Sequence, residues 1–288
     1  MSSMRSIKQR IGNISSVEQI IRAMDMVAST KLVQARAKLE GVRPIYNELK
    51  RIVEEVGTHE KAMTHIFYEQ RKVENSLYII LTSNRGLAGG YNSNICKKTL
   101  EHMNQGKNEK LIVAGSKGYE FFRNYDKSIV HSIVGVSNEN VYYGSENLAK
   151  KSIELYLTGA VEEVFIACTR FENVLTHEPT IEKVLPIQTS KQKDMGIDDR
   201  KYEPSLEVFI DAMVPLYMHM NLFRAFSEAH TSEQAARRVN MDAAGKNASE
   251  IIQDLNRLYN RKRQAAITQE ISEIVGSAGV LSKGGLND

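Results

Sequence analysis

At 288 residues, 42% hydrophobic and 25% charged, the chain has the make-up of an ordinary globular protein of one or two domains. A net charge of +3 is too mild for the concentrated basic surface that nucleic acid requires. No apolar run approaches the roughly 20 residues of a membrane span, and Cys96 and Cys168 lack ligand spacing and read as reduced thiols. The first residues, MSSMRSIKQR, carry no apolar leader core and run straight into a helical pattern, so no removable targeting segment is expected.

Residues 3–57 carry one long helical pattern. Ile7, Ile14, Ile21, Ala28, Ala35 and Val42 fall at one heptad position, and Ile11, Glu18, Asp25, Leu32, Leu39 and Tyr46 at the other. Ten of these twelve are apolar, which predicts a coiled-coil seam along a helix about 80 Å long. Glu18 and Asp25 interrupt the seam where Val17, Ile20, Met24 and Val27 supply a second apolar stripe, so this part faces more than one neighbour. Pro44 is expected to kink the helix and Gly57 to stop it.

After a polar stretch at 58–75 the periodicity changes. Leu77–Thr82, Lys110–Ala114, Ser128–Val134 and Val164–Thr169 are short apolar runs that alternate with helical segments at Asn92–Met103, Gly118–Tyr125 and Ser145–Leu157. That alternation predicts a mostly parallel sheet with crossover helices, a Rossmann-like α/β domain over residues 76–188. Thr180–Ile187, with Pro179 and Pro186 at its ends, suits an edge strand. A polar connector (188–205) leads into a second helical pattern of some 75 residues, roughly 110 Å if unbroken. Pro215 is expected to bend its start, where Leu206, Phe209, Met213, Leu216, Met220 and Phe223 form a stripe. Later apolar positions are Ile251, Leu255 and Leu258, then Ile267, Ile271, Ile274 and Ala278. The fold class is therefore α/β. A long antiparallel coiled coil of N-terminal (1–57) and C-terminal (205–288) helices carries the inserted domain.

The stretch Arg257–Leu281 starts with Arg257, Arg261, Lys262 and Arg263 and ends in small apolar residues from Ile274 onward. A helix end that is apolar all round needs covering, and glycines at 276 and 279 weaken it as an isolated helix. Something outside this helix is expected to hold it.

Catalytic signals are sparse. Arg85–Gly90 (RGLAGG) is a Gly-rich loop opening a helix, but neither the G-x-G-x-x-G nor the G-x-x-x-x-G-K-[ST] spacing occurs. Gly115-Ser116-Lys117-Gly118 has a lysine but not the loop length. The seven histidines show no metal-ligand spacing, and His219, between Met218 and Met220, reads as a packing residue. No catalytic residue, metal site or cofactor site is assigned. The residues favour an interaction protein. A nucleotide-binding α/β protein using the Gly86–Gly90 loop and a static coiled-coil tether are the alternatives.

Several motifs in order resemble the γ subunit of F-type ATP synthase, the central stalk of a rotary motor. They are Ile20–Lys31 (IIRAMDMVASTK), Arg85–Gly90, Gly115–Gly118, Ser232–Arg237 with Met241–Ala244, and Ile267–Val275 (ITQEISEIV). Ala88 stands where that family frequently has cysteine, and the end, Gly276–Leu281, departs from its G-A-x-A pattern. The resemblance implies partners: a ring of α and β subunits around the two helices, and ε and the membrane c-ring against the α/β domain. It implies one copy per complex, with ATP, ADP and Mg held by partner subunits. Arg263, Gln264 and Thr268 match residues that contact the β-subunit catch loop. Glu233 and Arg237 match a polar cluster with Met24 nearby, and Ile274 and Ala278 match the seated tip. Tyr202 and Glu203, in a Y-E-P motif, match the foot near ε and c. The absence of transit-peptide features favours the cytoplasmic face of a bacterial plasma membrane. The family's chloroplast-type cysteine insertion is missing, so no thiol switch is expected.

Overall fold

The structure, a computed structural model, describes residues 4–103, 108–125, 127–135, 140–188 and 202–284, with side chains in the last helix described as far as Val275. Its elements in chain order are α1 (Met4–Val56), α2 (Glu60–Met63), β1 (Asn75–Leu81), α3 (Tyr91–Met103), β2 (Asn108–Ala114), α4 (Ser116–Phe122), β3 (Ser128–Ile133), α5 (Val141–Leu157), β4 (Glu163–Phe171), β5 (His177–Leu185) and α6 (Leu206–Gly284). The two long helices with an inserted α/β segment match the sequence expectation. The chain divides into two compact units. A hairpin unit comprises Met1–Val27 with Met241–Asp288, and a body unit spans Ala28–Asn240. Ala28–Val56 and Leu206–Asn240 thus belong with the sheet.

In the body unit the five strands run in the order β3-β2-β1-β4-β5. The β1–β2, β1–β4 and β2–β3 pairs are parallel, and β4–β5 is antiparallel. Strand side chains alternate between faces. Leu77, Ile79 and Leu81 of β1 join one core, with α5 and the long helices, while Tyr78 and Ile80 join another, with α3 and α4. Both faces are covered, which explains why the strands read as continuous apolar runs. The edge strand β5 begins earlier than expected, and Pro179 sits inside it opposite Thr169. An edge position tolerates a residue that cannot donate. The polar stretch after α1 also hid core residues. Phe67 and Tyr68 are buried, and the Tyr68 hydroxyl donates to the Val53 carbonyl at 2.8 Å.

Both long helices continue through their prolines, Pro44 and Pro215. Pro44 is exposed, so the carbonyl it strands can be hydrated. The α1 seam is as the heptads predict. None of the twelve positions from Ile7 to Tyr46 is exposed, and Ala28, Leu32, Ala35, Leu39, Val42 and Tyr46 are all buried in the body unit. The α6 seam within the hairpin unit differs from the apolar positions read in sequence. It runs Met241, Gly245, Ala248, Ile252, Leu255, Tyr259, Lys262 and Ala266, at alternating steps of four and three. Of Ile251, Leu255, Leu258 and Ile267, only Leu255 lies in it. A coiled-coil seam selects by spacing, and small or partly polar residues fill it as well as large ones.

Candidate functional site

The helices pair antiparallel in each unit. In the hairpin unit Ser249 Oγ donates to Glu18 Oε1 at 2.5 Å, and Ile21 Cγ2 lies 3.7 Å from where a Cβ on Gly245 would stand. Glu18 therefore completes the seam by a hydrogen bond. Asp25 keeps a buried Oδ1 with no hydrogen-bond partner among the described residues. Gly245 and Ala248 bring the backbones close, so the seam is thin. Larger apolar side chains point elsewhere. Val17, Ile20, Met24 and Val27 form an exposed stripe on α1, and Ile251, Leu258, Ile267, Ile271 and Ile274 are exposed on α6, Ile274 at 67%. A contiguous apolar stripe on a polar-rimmed surface marks a protein interface.

The residues matched to the catch-loop contact by resemblance lie on this exposed part. Arg263, Gln264 and Thr268 are exposed, and the Thr268 hydroxyl caps the Gln264 carbonyl at 2.9 Å. Every residue from Ile267 to Val275 is exposed among the described residues. The side chain of Ala278 lies outside the described residues, as does the rest of the small-residue end.

Glu233 and Arg237 belong to the body unit and turn inward. Arg237 Nη2 donates to Glu233 Oε1 at 2.7 Å and to the Gly86 carbonyl at 3.2 Å. His230 Nδ1 lies 3.6 Å from Glu233 Oε2. Burial pushes the Glu233 carboxyl up, but the bonds from His230 and Arg237 outweigh it and hold it below the usual carboxylate value. The cluster grips the Gly-rich loop of its own chain. Met24, in the hairpin unit, is exposed.

That loop is shaped for docking rather than for phosphate. Leu87 and Gly89 both take positive φ (64° and 56°). Ala88 and Tyr91 pack on Ala236, and the Tyr91 hydroxyl donates to the Ala229 carbonyl at 2.9 Å. A Cβ on Gly89 would stand 2.5 Å from Asn240 Nδ2, so glycine lets the loop meet α6. At the second turn the free amides are already used. Ser116 N donates to Asn84 Oδ1, Lys117 N to the Ser83 carbonyl and Gly118 N to Thr82 Oγ1. Lys117 pairs with Glu120 at 2.6 Å. In open α/β sheets a nucleotide occupies the crevice beyond the strand ends. Here Phe226, Ala229, His230 and Glu233 of α6 line that crevice, leaving a cavity of about 50 Å³. Drug-sized ligand pockets measure roughly 300–1,000 Å³.

Tyr202 and Glu203 lie just before α6, in the body unit. The Tyr202 hydroxyl is 3.1 Å from His59 Nε2, and its ring packs on His59 and Phe209. Glu203 is exposed. His59, Glu60, Lys61, Tyr202 and Leu206 line a shallow groove of about 300 Å³. The two cysteines are buried, and burial pushes each thiol up to about 12, so both are neutral at physiological pH. Among the described residues no helix is long and apolar enough to cross a membrane.

Comparison with known proteins decides what these helices belong to. A family model described as ATP synthase matches residues 3–281. The ATP synthase gamma chain of Ruminiclostridium cellulolyticum is 39% identical, over 97% of this chain and 99% of its own length. The chain belongs to the ATP synthase gamma-chain family. Membership is broad in chemistry. The Moorella thermoacetica gamma chain is 38% identical over 98% of this chain and all of its own length, and the sodium-ion-specific gamma chain of Acetobacterium woodii is 36% identical over 97% and 99%. The fold agrees with a chain of the Euglena gracilis mitochondrial ATP synthase, solved with OSCP, F1 and c-ring. That match has a TM-score of 0.71 at 18% identity, covering 99% of this chain and 96% of the other. A Tetrahymena thermophila central stalk and c-ring structure matches with a TM-score of 0.62 at 21% identity, covering 78% and 99%. Gamma chains form the central stalk, so this family's part in ATP synthesis is mechanical.

Two structural groups were not legible as functional in the sequence. One is the inward use of Glu233 and Arg237, which depends on where the loop at Gly86 lands. The other is a buried ionic network around Arg224, whose members Arg43, Glu182 and Glu228 are scattered over the chain and share no motif.

Proposed function

We propose that this chain is the rotating shaft of an ion-translocating ATP synthase attached to the membrane. The observation that carries the reading is the hairpin unit. Its thin seam holds two antiparallel helices together, while apolar stripes and Arg263, Gln264 and Thr268 are exposed among the described residues. The α and β subunits form the ring that those faces meet, and the asymmetric shaft forces each β subunit through its catalytic states. The foot around Tyr202 and Glu203 meets ε and the c-ring. One copy serves each complex, peripheral to the cytoplasmic face of a bacterial plasma membrane. The chain supplies no catalytic residue and binds no cofactor or nucleic acid. ATP, ADP and Mg belong to its partners. The crevice filled by α6 supports this over a nucleotide-binding role. Guanidinium groups at a moving surface suit contacts that form and break, because their hydrogen bonds are directional and replaceable.

The test replaces Arg263 and Gln264 together by alanine in the assembled complex. Coupled turnover should fall about tenfold while assembly stays near normal, the loss of one or two charge-assisted bonds in the loaded state. Unchanged turnover in a fully assembled complex would count against a gripping role. A reversible cross-link between α6 and a β subunit should stop hydrolysis and release should restore it, whereas a static tether would keep hydrolysing.

A further inference from the structure

We propose that the buried polar contacts α6 makes between His219 and Ser232 are a register lock, the device by which the two long helices drive the α/β body without slipping, with Arg224 at its centre. The proposal rests on the rotary reading above.

Arg224 is 5% exposed and touches three elements. Its Nη2 donates to Glu182 Oε2 of β5 at 2.5 Å and to Asn221 Oδ1 at 2.8 Å, and its Nη1 donates to Glu228 Oε2 at 3.2 Å. The guanidinium also lies over the Tyr46 ring of α1, 4.3 Å from its centroid. Glu228 continues the network to α1 by accepting from Arg43 Nε and Nη2 at 3.3 Å. Arg43 Nη2 donates on to the Phe171 carbonyl of β4 at 2.7 Å. Two cations and two anions thus join α1, α6, β4 and β5. Further staples leave α6 along the same stretch. His219 Nε2 meets the Tyr142 carbonyl of α5 at 3.1 Å, the Tyr91 hydroxyl of α3 reaches the Ala229 carbonyl at 2.9 Å, and Ser232 Oγ donates to the Thr169 carbonyl of β4 at 3.1 Å.

Apolar packing surrounds all of this and would hold the helix on the sheet by itself. It is non-directional, however, and resists separation better than sliding. Buried ion pairs are a poor way to gain stability, because desolvation offsets their attraction, and their best-attested use is fixing register. A helix under torque needs that second property. Four of the acceptors are backbone carbonyls of strands and helices, which cannot swing away as a surface side chain can.

The experiment uses the whole ATP synthase containing this chain, reconstituted in liposomes, with hydrolysis and ion-driven ATP synthesis read on the same vesicles. The variant carries Arg224→Met with Glu182→Leu, which removes one cation and one anion and keeps volume, together with Tyr91→Phe and Ser232→Ala. Hydrolysis should stay within about twofold of wild type while synthesis falls about fivefold or more, the size expected for loss of a coupling network. Restoring Arg224 and Glu182 should recover most of the synthesis. Parallel loss of both activities, or no loss of either, would overturn the lock. If the fourfold variant does not assemble, Arg224→Lys keeps the charge and removes the fork. Synthesis should then drop about twofold at unchanged hydrolysis, and unchanged synthesis overturns the proposal. Failure of the rotary reading has a different signature, in which the wild-type chain itself fails to support coupled synthesis.

Discussion

The same two helices are built in opposite ways in the two units. In the body unit their contact faces carry Leu32, Leu39, Val42, Tyr46, Met218 and Phe223, all buried, and the ion pair Arg224–Glu228, both of whose members are nearly inaccessible. In the hairpin unit the α6 side of the seam is Gly245, Ala248 and partly exposed Ile252, Leu255 and Tyr259, while larger apolar groups face outward. One unit finds its stability inside the chain. The other leaves apolar area exposed, which is what the proposed rod within a ring would need.

That contrast can be broken most severely at Glu228. Replacing it by leucine leaves Arg43 and Arg224 facing each other without their shared anion. The body unit should lose roughly 3 kcal/mol or more, read as a lower denaturant midpoint, because the buried Arg224 guanidinium keeps only Glu182 as a counter-ion and Arg43 loses its carboxylate partner. A smaller loss is expected from Glu18→Ala, since that carboxylate is only partly buried, its ion-pair partner Arg22 is exposed, and its removal leaves no buried cation behind. Equal losses would erase the distinction between the units.

Cavity variants sharpen it next. Leu39→Ala, at a fully buried position, should cost roughly 2–5 kcal/mol. Ile252→Ala, at a partly exposed seam position, should cost about half of that or less, in proportion to the area it removes from water. Hydrogen exchange resolved by segment would place each loss in its unit. It should show α6 beyond Met241 exchanging faster than the stretch before it in the isolated chain.

The smallest expected effect is with pH. Glu233 has its carboxyl held low in the fold, so it binds a proton more weakly folded than unfolded. Its contribution is present above the unfolded value of about 4.3 and is lost as pH falls below that. Wild type should therefore lose stability between pH 5 and more acid conditions more steeply than Glu233→Gln, in denaturant titrations run across that range. Identical slopes would mean that the grip on the Gly86 loop owes nothing to charge.

Much of this was legible in the sequence because it is periodic. The α1 heptads, the strand–helix alternation and the Gly57 stop are local patterns, each set by a repeat of 3.5 or 2 residues or by one backbone preference. The ordered motifs gave the family. Where the reading missed, the signal was not local. Phe67 and Tyr68 looked like loop residues because no repeat surrounds them. Ile251 and Leu258 looked like seam residues because hydrophobicity suggests burial, although spacing places them outside.

By itself, then, the sequence determined the long paired helices, the parallel sheet between them and the family to which they belong. These follow from spacing, and spacing is written in the chain. Only the tertiary structure decided which apolar stripe is seam and which is surface, that Glu233 and Arg237 hold the chain's own loop, and that Arg43, Glu182, Arg224 and Glu228 meet. Those outcomes depend on residues up to 185 positions apart arriving within hydrogen-bond distance. A charged side chain carries no mark of whether water or another charge will surround it until the backbone has brought its neighbours into place.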